Sequence, residues 1–285
     1  MTGVEQAENG SFDEIELNGV TDKVRRDIFE RIKRLAGYRP TVAVLGKTGA
    51  GKSSLGNALF GREVFEVSSV RAGTRQPKSL TAAILGVDMD LVDFPGVGES
   101  RDRDEEYRAL YREWIGRIDV ALWVVKMDDR VLAPDIDYFE QVIKPAGFPI
   151  ERIVFVVSQV DKADPLREWD LRQHKPGGKQ AINIDDKVAQ LRETFGVAPA
   201  QVVPVSAEER YNLESLAERI IYACPDEAAL NVARALDSDM KTDVIRETVL
   251  GKAWSFIKEF YSNNSDEIHA AIAAIIAKLL KNGRR

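Results

Sequence analysis

The sequence predicts an α/β fold: a mainly parallel six-stranded sheet with helices on both faces, joined to a smaller all-helical part. Three observations predict it. Short apolar, β-branched runs alternate with amphipathic stretches between about residues 41 and 222, the pattern of strands buried on both faces by crossover helices. After Cys224-Pro225 the strands stop, and 226–285 read as helical throughout. A further amphipathic stretch, 21–36, precedes the first strand, so helices from both chain ends can pack together.

Each element follows from its residues. Positions 1–19 contain acids and neither Lys nor Arg, and read as a disordered acidic tail. In 21–36, Val24, Ile28, Ile32 and Leu35 share a face, Thr21 or Asp22 can cap the start and Gly37 the end. "TVAVL" at Thr41–Leu45 is a strand, and Ser53–Phe60 continues as a helix. Ser79–Leu85 and Met89–Val92 form a hairpin around Gly86-Val87-Asp88. Arg103–Ile115 reads as a helix, Val120–Val125 as a strand, Asp135–Ile143 as a helix and Ile153–Val157 as a strand. Ile184–Phe195 is a helix, Val202–Val205 the last strand and Leu213–Tyr222 a helix. The tail divides into helices at Asp226–Leu236, Asp239–Phe260 and Asp266–Lys281. The expected domains are 20–38 and 225–285, together a helical domain, around an α/β domain at 39–224.

Composition narrows the function. The chain has 285 residues and a net charge of −6, which argues against a broad nucleic-acid surface, and no specific DNA binding is expected. Cys224 is the only cysteine, so no disulfide can form within the chain, which suits a reducing cytoplasm. With His174 and His269 as the only histidines, a zinc site of the usual ligands is not expected. No run of about 18 apolar residues occurs, so any membrane contact should be peripheral.

Gly46-Lys47-Thr48-Gly49-Ala50-Gly51-Lys52-Ser53, followed by Ser54, stands between a strand and a helix. Glycines at this spacing turn backbone N–H groups inward around phosphate oxygens, and the helix aims its positive end at the same anion. In such a loop Lys52 reaches the β- and γ-phosphates and the Ser53 hydroxyl holds Mg²⁺. Asp93-Phe94-Pro95-Gly96 follows the strand "MDLV". There Asp93 suits the Mg²⁺ shell, and the Gly96 N–H can meet a γ-phosphate. Between these motifs "SSVRAGTRQPKS" must supply a further Mg²⁺ hydroxyl; Thr74 is the first candidate, with Ser68, Ser69 and Thr81 behind it.

These motifs, the polar loop "SQVDKAD" at 158–164 and "VPVSA" at 203–207 occur in the order of the Ras-like G-domain GTPases. Over about Thr41–Tyr222 the chain resembles the Era-like, 50S ribosome-binding GTPase type. Within that group it resembles the YfjP/YeeP-like proteins through "FPGVGE", "DDRVLAPD" at 128–135 and "SQVDKADPLREWD" at 158–170. Its architecture is similar to that of immunity-related GTPases. The resemblance implies a P-loop G domain that binds GTP and GDP with Mg²⁺ and hydrolyses GTP. It implies that an aspartate of the 158–164 loop accepts hydrogen bonds from guanine, with Ser158 and Gln159 beside it. Asp161 is in register with the strand end, and Asp164 is the alternative. Gln159 stands where the family carries lysine. Ser206-Ala207 corresponds to a loop whose N–H meets the guanine 6-oxo group. After D-x-x-G stands Val97, which can neither donate nor accept a hydrogen bond. Water orientation must then come from a partner, a second protomer or a potassium ion, with Arg71, Arg75, Arg101, Arg103 and Arg130 available for charge stabilisation. A homodimer through the G domain and a protein, ribosomal or peripheral membrane partner all remain open. So do two rival readings, an ATP-using P-loop protein and a nucleotide-binding scaffold. The long connection 165–187 offers Trp169 as an interaction point or as sheet packing.

Overall fold

The structure, a computed structural model, describes residues 22–61, 78–84, 87–94, 109, 112–258 and 265–281. The 1–19 tail and most of the 103–115 helix expected from sequence lie outside these residues. Six strands form one sheet: β1 Thr41–Gly46, β2 Lys78–Ile84, β3 Val87–Asp93, β4 Val120–Lys126, β5 Ile153–Ser158 and β6 Val202–Pro204. Their spatial order is β2-β3-β1-β4-β5-β6. Strands β3, β1, β4, β5 and β6 run parallel, and β2 is an antiparallel edge paired to β3. The mainly parallel arrangement expected from the alternating pattern is present. It places the C-terminal ends of the parallel strands, where ligands bind in open α/β sheets, along one rim.

The eight helices used below are α1 Asp22–Gly37, α2 Lys52–Phe60, α3 Ala133–Tyr138, α4 Gly178–Phe195, α5 Leu213–Ala223, α6 Asp226–Ala235, α7 Asp243–Lys258 and α8 Ser265–Lys281. Side chains alternate across each strand. On one face Val42, Val44, Leu91, Leu122, Val124, Val154 and Val156 join a cluster with α1, α2, α5, α6, α7 and α8. On the other, Ala43, Leu45, Trp123, Phe155 and Val157 join α3 and α4. The second face is knit by aromatics. Phe155 stacks on Phe195 at 4.5 Å between ring centroids, and Phe139 meets Phe195 edge-on at 5.1 Å.

The terminal helices cover the first face. Ile28, Ile32 and Leu35 of α1 are fully buried, and α1 packs on α6 and α7. Asn231 of α6 closes the joint: its Nδ2 donates to the carbonyls of Leu35 (3.0 Å), Ala36 (2.9 Å) and Tyr38 (2.5 Å), which end α1. In α8 the stripe Ile268, Ile272, Ile275, Ile276, Leu279 and Leu280 is buried, against α7 and α6. Among the described residues, no helix is long and apolar enough to cross a membrane.

Several boundaries differ from the sequence reading, each for a local reason. Helix α3 starts at Ala133 because Pro134 fits a first turn, and the chain continues through a π-helical turn at Phe139–Ile143. Helix α7 starts at Asp243, not Asp239, because Thr242 Oγ1 accepts the Ile245 N–H at 3.2 Å and caps it there. Helix α4 starts at Gly178, so nearly half of the long 165–187 connection is helix. Trp169 is buried in that connection, edge-on to Tyr211 at 5.6 Å.

Candidate nucleotide site

The phosphate-loop sequence bridges the end of β1 and the start of α2, and its glycines are conformationally required. Gly46, Gly49 and Gly51 have φ of +131°, +80° and +88°, values that side chains disfavour. At Gly46 a Cβ would also stand 2.2 Å from the Val124 carbonyl oxygen. Lys52, at the first turn of α2, is buried. Its ammonium lies across the loop, donating to the carbonyls of Gly46 (3.0 Å) and Lys47 (3.2 Å). Ser53 follows it, half-buried.

Two strand ends farther along, β5 delivers Ser158-Gln159-Val160-Asp161. Buried Ser158 donates from Oγ to the Ala50 carbonyl at 2.6 Å. Gln159 is held left-handed at φ 57°, and its Nε2 donates to the Gly49 carbonyl at 3.1 Å. Where the family's lysine would lie, the shorter amide thus ties the two loops together. Val160–Lys162 is one 3₁₀ turn, anchored by the Val160 N–H on the Val205 carbonyl at 3.2 Å. Beyond β6, the Ser206 hydroxyl accepts the Glu209 N–H at 3.1 Å and stiffens the adjoining turn.

These three loops enclose a cavity of about 310 Å³ lined by Gly49, Gly51, Lys52, Ser53, Ser54, Ser158, Gln159, Asp161, Ser206 and Ala207. That volume lies within the usual small-molecule range of roughly 300–1,000 Å³. Lys162 and Glu208, ion-paired at 3.6 Å, also line it with Leu55 and Val205. Sequence reading missed these four, and the charged pair carried no signal because surface acids and lysines are common. Asp164 lies instead in a neighbouring depression with Met127, Asp129 and Lys187. Gly46, Thr48 and Ala50 belong to the same loop. Asp93 ends β3 in register with Val44 of β1, on the rim that carries the phosphate loop. Thr74, Ser68, Ser69, Gly96, Val97, Arg71, Arg75, Arg101 and Arg103 lie outside the described residues. Arg130 is exposed at the neighbouring depression.

A further missed residue is Lys47. Its ammonium leaves the phosphate loop for the 128–135 segment, pairing with Asp129 Oδ2 at 2.7 Å and Asp135 Oδ2 at 3.2 Å and donating to the Val131 carbonyl. Asp135 is 1% exposed, and its Oδ1 accepts Trp123 Nε1–H at 3.0 Å. Burial pushes the Asp135 carboxyl above its ordinary range, opposed by Trp123 and Lys47. Burial also works against the Lys47 charge, yet Asp129 and Asp135 together hold its ammonium above the ordinary value. On the other side, Lys187 of α4 donates to the Asp129 carbonyl at 2.5 Å.

The chain is similar to known proteins across this region. Residues 41–159 match the family described as 50S ribosome-binding GTPase. Escherichia coli YfjP is 43% identical over 81% of this chain and 78% of its own length. Escherichia coli YkfA is 40% identical over 79% and 76%. GTPase Era of Aquifex aeolicus is 24% identical over 71% of this chain and 61% of its own length. By this similarity, and with a phosphate loop placed beside a base-sized cavity, the chain belongs to the YfjP-like group of Era-type GTPases.

Proposed function

We propose that this protein is a guanine-nucleotide switch, slow in hydrolysis alone and stimulated by a partner or a second copy of itself. The observation that carries the reading is the single cavity shared by the phosphate loop, Asp161 and Ser206-Ala207. It offers phosphate N–H donors and a cation at one end, and a carboxylate at the other. A carboxylate there accepts from guanine N1–H and the 2-amino group, whereas adenine would leave it unpaired, a mismatch that discriminates strongly. Asp161 is the reader in this proposal, because it faces the cavity and Asp164 lines the depression beside it.

The residues present fit Mg²⁺: Ser53 would hold it, with Thr74 and Asp93 completing the protein's share. When bound, the ion supplies positive charge against the β- and γ-phosphate oxygens. Lys52, fixed on two loop carbonyls, would stabilise the charge that develops as water attacks the γ-phosphorus and GDP leaves. By the D-x-x-G pattern, Gly96 would give its N–H to the γ-phosphate. Val97 leaves the attacking water unoriented, which makes intrinsic turnover slow.

Competition calorimetry with GTP, GDP, ATP and xanthosine triphosphate tests the reading. GTP and GDP should bind, ATP should not displace them, and Asp161→Asn should move preference to xanthosine triphosphate. If Asp164→Asn makes that switch, the register is wrong; equal displacement by ATP would favour an ATP-using protein. Specific GTPase activity should rise over a hundredfold range of protein concentration, since a second protomer can bring an arginine. A flat profile rejects self-stimulation, and no turnover in a single-turnover assay leaves a scaffold.

A further inference from the structure

The segment "DDRVLAPD" marks the family resemblance, but the nucleotide chemistry above gives it no task. The structure does. Lys47 is the residue after the first glycine of the phosphate loop, and its side chain points away from the cavity into this segment. It meets Asp129, Asp135 and the Val131 carbonyl. Its backbone faces the other way: the Lys47 carbonyl accepts the Lys52 ammonium at 3.2 Å. One residue thus connects an acid pair, Asp135 buried and Asp129 half-buried, to the cation of the phosphate site.

The acid pair is itself rigidly held. Asp135 hangs from Trp123 in the middle of β4. Asp129 Oδ1 accepts the Val131 N–H at 3.0 Å, which closes a tight turn, and the Asp129 carbonyl accepts Lys187 from α4. The anchor is therefore built on the sheet and a long helix. A side chain fixed at its far end limits rotation of its own peptide, and preorganised sites are held in this way by their supporting shell.

We propose that Lys47 is a positioning residue of the nucleotide site: pinned by Asp129 and Asp135, it orients the peptide whose carbonyl holds Lys52. The proposal rests on the nucleotide-site reading above. It also makes the 128–135 segment one unit with the phosphate loop. A partner that moves this segment, for example through exposed Arg130 within it, alters nucleotide affinity without entering the cavity.

The test compares Lys47→Met, Lys47→Arg and Asp129→Asn, with Lys52→Ala in parallel, by calorimetric affinity for GDP and GTP and by urea unfolding. Methionine keeps the stem and removes the charge. Affinity for both nucleotides should fall about tenfold in the folded Lys47→Met protein, because loss of positioning moves the cation. Arginine can pair with both carboxylates and should restore affinity to within about threefold of wild type. Wild-type affinity in Lys47→Met, or an arginine variant as weak as the methionine one, overturns the proposal. If Lys47→Met leaves Asp135 uncompensated and fails to fold, Asp129→Asn decides, since it keeps the Lys47–Asp135 pair. Weakened nucleotide binding with normal unfolding supports the proposal, and unchanged binding overturns it. Should Lys52→Ala bind GDP as wild type does, the nucleotide-site reading fails first and this proposal with it.

Discussion

Gly46→Ala is the sharpest test of the phosphate loop's geometry. Gly46 pairs with Val124 at the end of the β1–β4 ladder. Two costs follow from adding one methyl group. The first is conformational: φ of +131° is unsuited to alanine, at about 1–3 kcal/mol. The second is steric: the new Cβ would lie 2.2 Å from the Val124 carbonyl oxygen and 3.1 Å from its carbon. Both are backbone atoms inside a sheet, so relief requires about 1 Å of loop displacement, with overpacking costs of about 1–3 kcal/mol. The sum is about 2–6 kcal/mol of stability. The Gly46 carbonyl, which would move with the loop, is an acceptor of the Lys52 ammonium, and a misplacement near 1 Å can cost about a hundredfold in function. Gly49→Ala separates the terms, because its φ is +80° but a Cβ there meets nothing within 4 Å. Urea unfolding and GDP calorimetry on both variants provide the assay. Gly49→Ala should show only the smaller, conformational loss. A Gly46→Ala protein with the wild-type urea midpoint and GDP affinity would refute the reasoning.

Two further predictions concern the rest of the molecule. Asn231→Leu keeps the branched shape of the side chain but removes a two-hydrogen donor serving three buried or half-buried carbonyls at the end of α1; urea unfolding should show a loss of about 2–4 kcal/mol, and a loss below about 1 kcal/mol would mean that water replaces the amide. Burial pushes the Cys224 thiol up to about 12 from 9.0. Above pH 9 the unfolded chain therefore releases a proton that the fold keeps, and stability falls with rising pH until about 12. Between pH 9 and 10.5 wild type should lose on the order of 1–2 kcal/mol more than Cys224→Ala, and parallel pH profiles for the two proteins would contradict that assignment.

What could be read from sequence was whatever local pattern and order determine. Strands buried on both faces announce themselves as apolar runs, and β1, β4 and β5 do so. The glycine spacing from Gly46 to Gly51 is local as well, because each unusual φ belongs to a single residue. Partnerships across the chain were not legible. The start of α4 depends on Glu168 Oε2 accepting the Lys179 N–H at 2.9 Å and on Gln180 reaching the Ala163 carbonyl at 2.8 Å, contacts no window around Gly178 contains. Lys47 was passed over because a lysine in a loop ordinarily faces water. Its acid partners lie 82 and 88 positions on, brought near by the parallel pairing of β1 with β4.

The joint between α1 and α6 also bears on how the molecule is made. Asn231 closes a helix end 196 positions earlier in the chain. During synthesis α1 emerges first and must wait for α6 before its apolar face is covered. The same interval leaves the layer over Val42, Val44, Leu122 and Val154 incomplete, since α2 and α5 cover only part of it and the cluster is completed by Leu230, Val232 and the helices after them. Contacts so distant in sequence form late, and transiently open apolar sheet faces invite aggregation. A nascent chain halted before residue 226 would thus contain the phosphate loop and all six described strands, yet carry only α2 and α5 on that sheet face and leave the rest of it open.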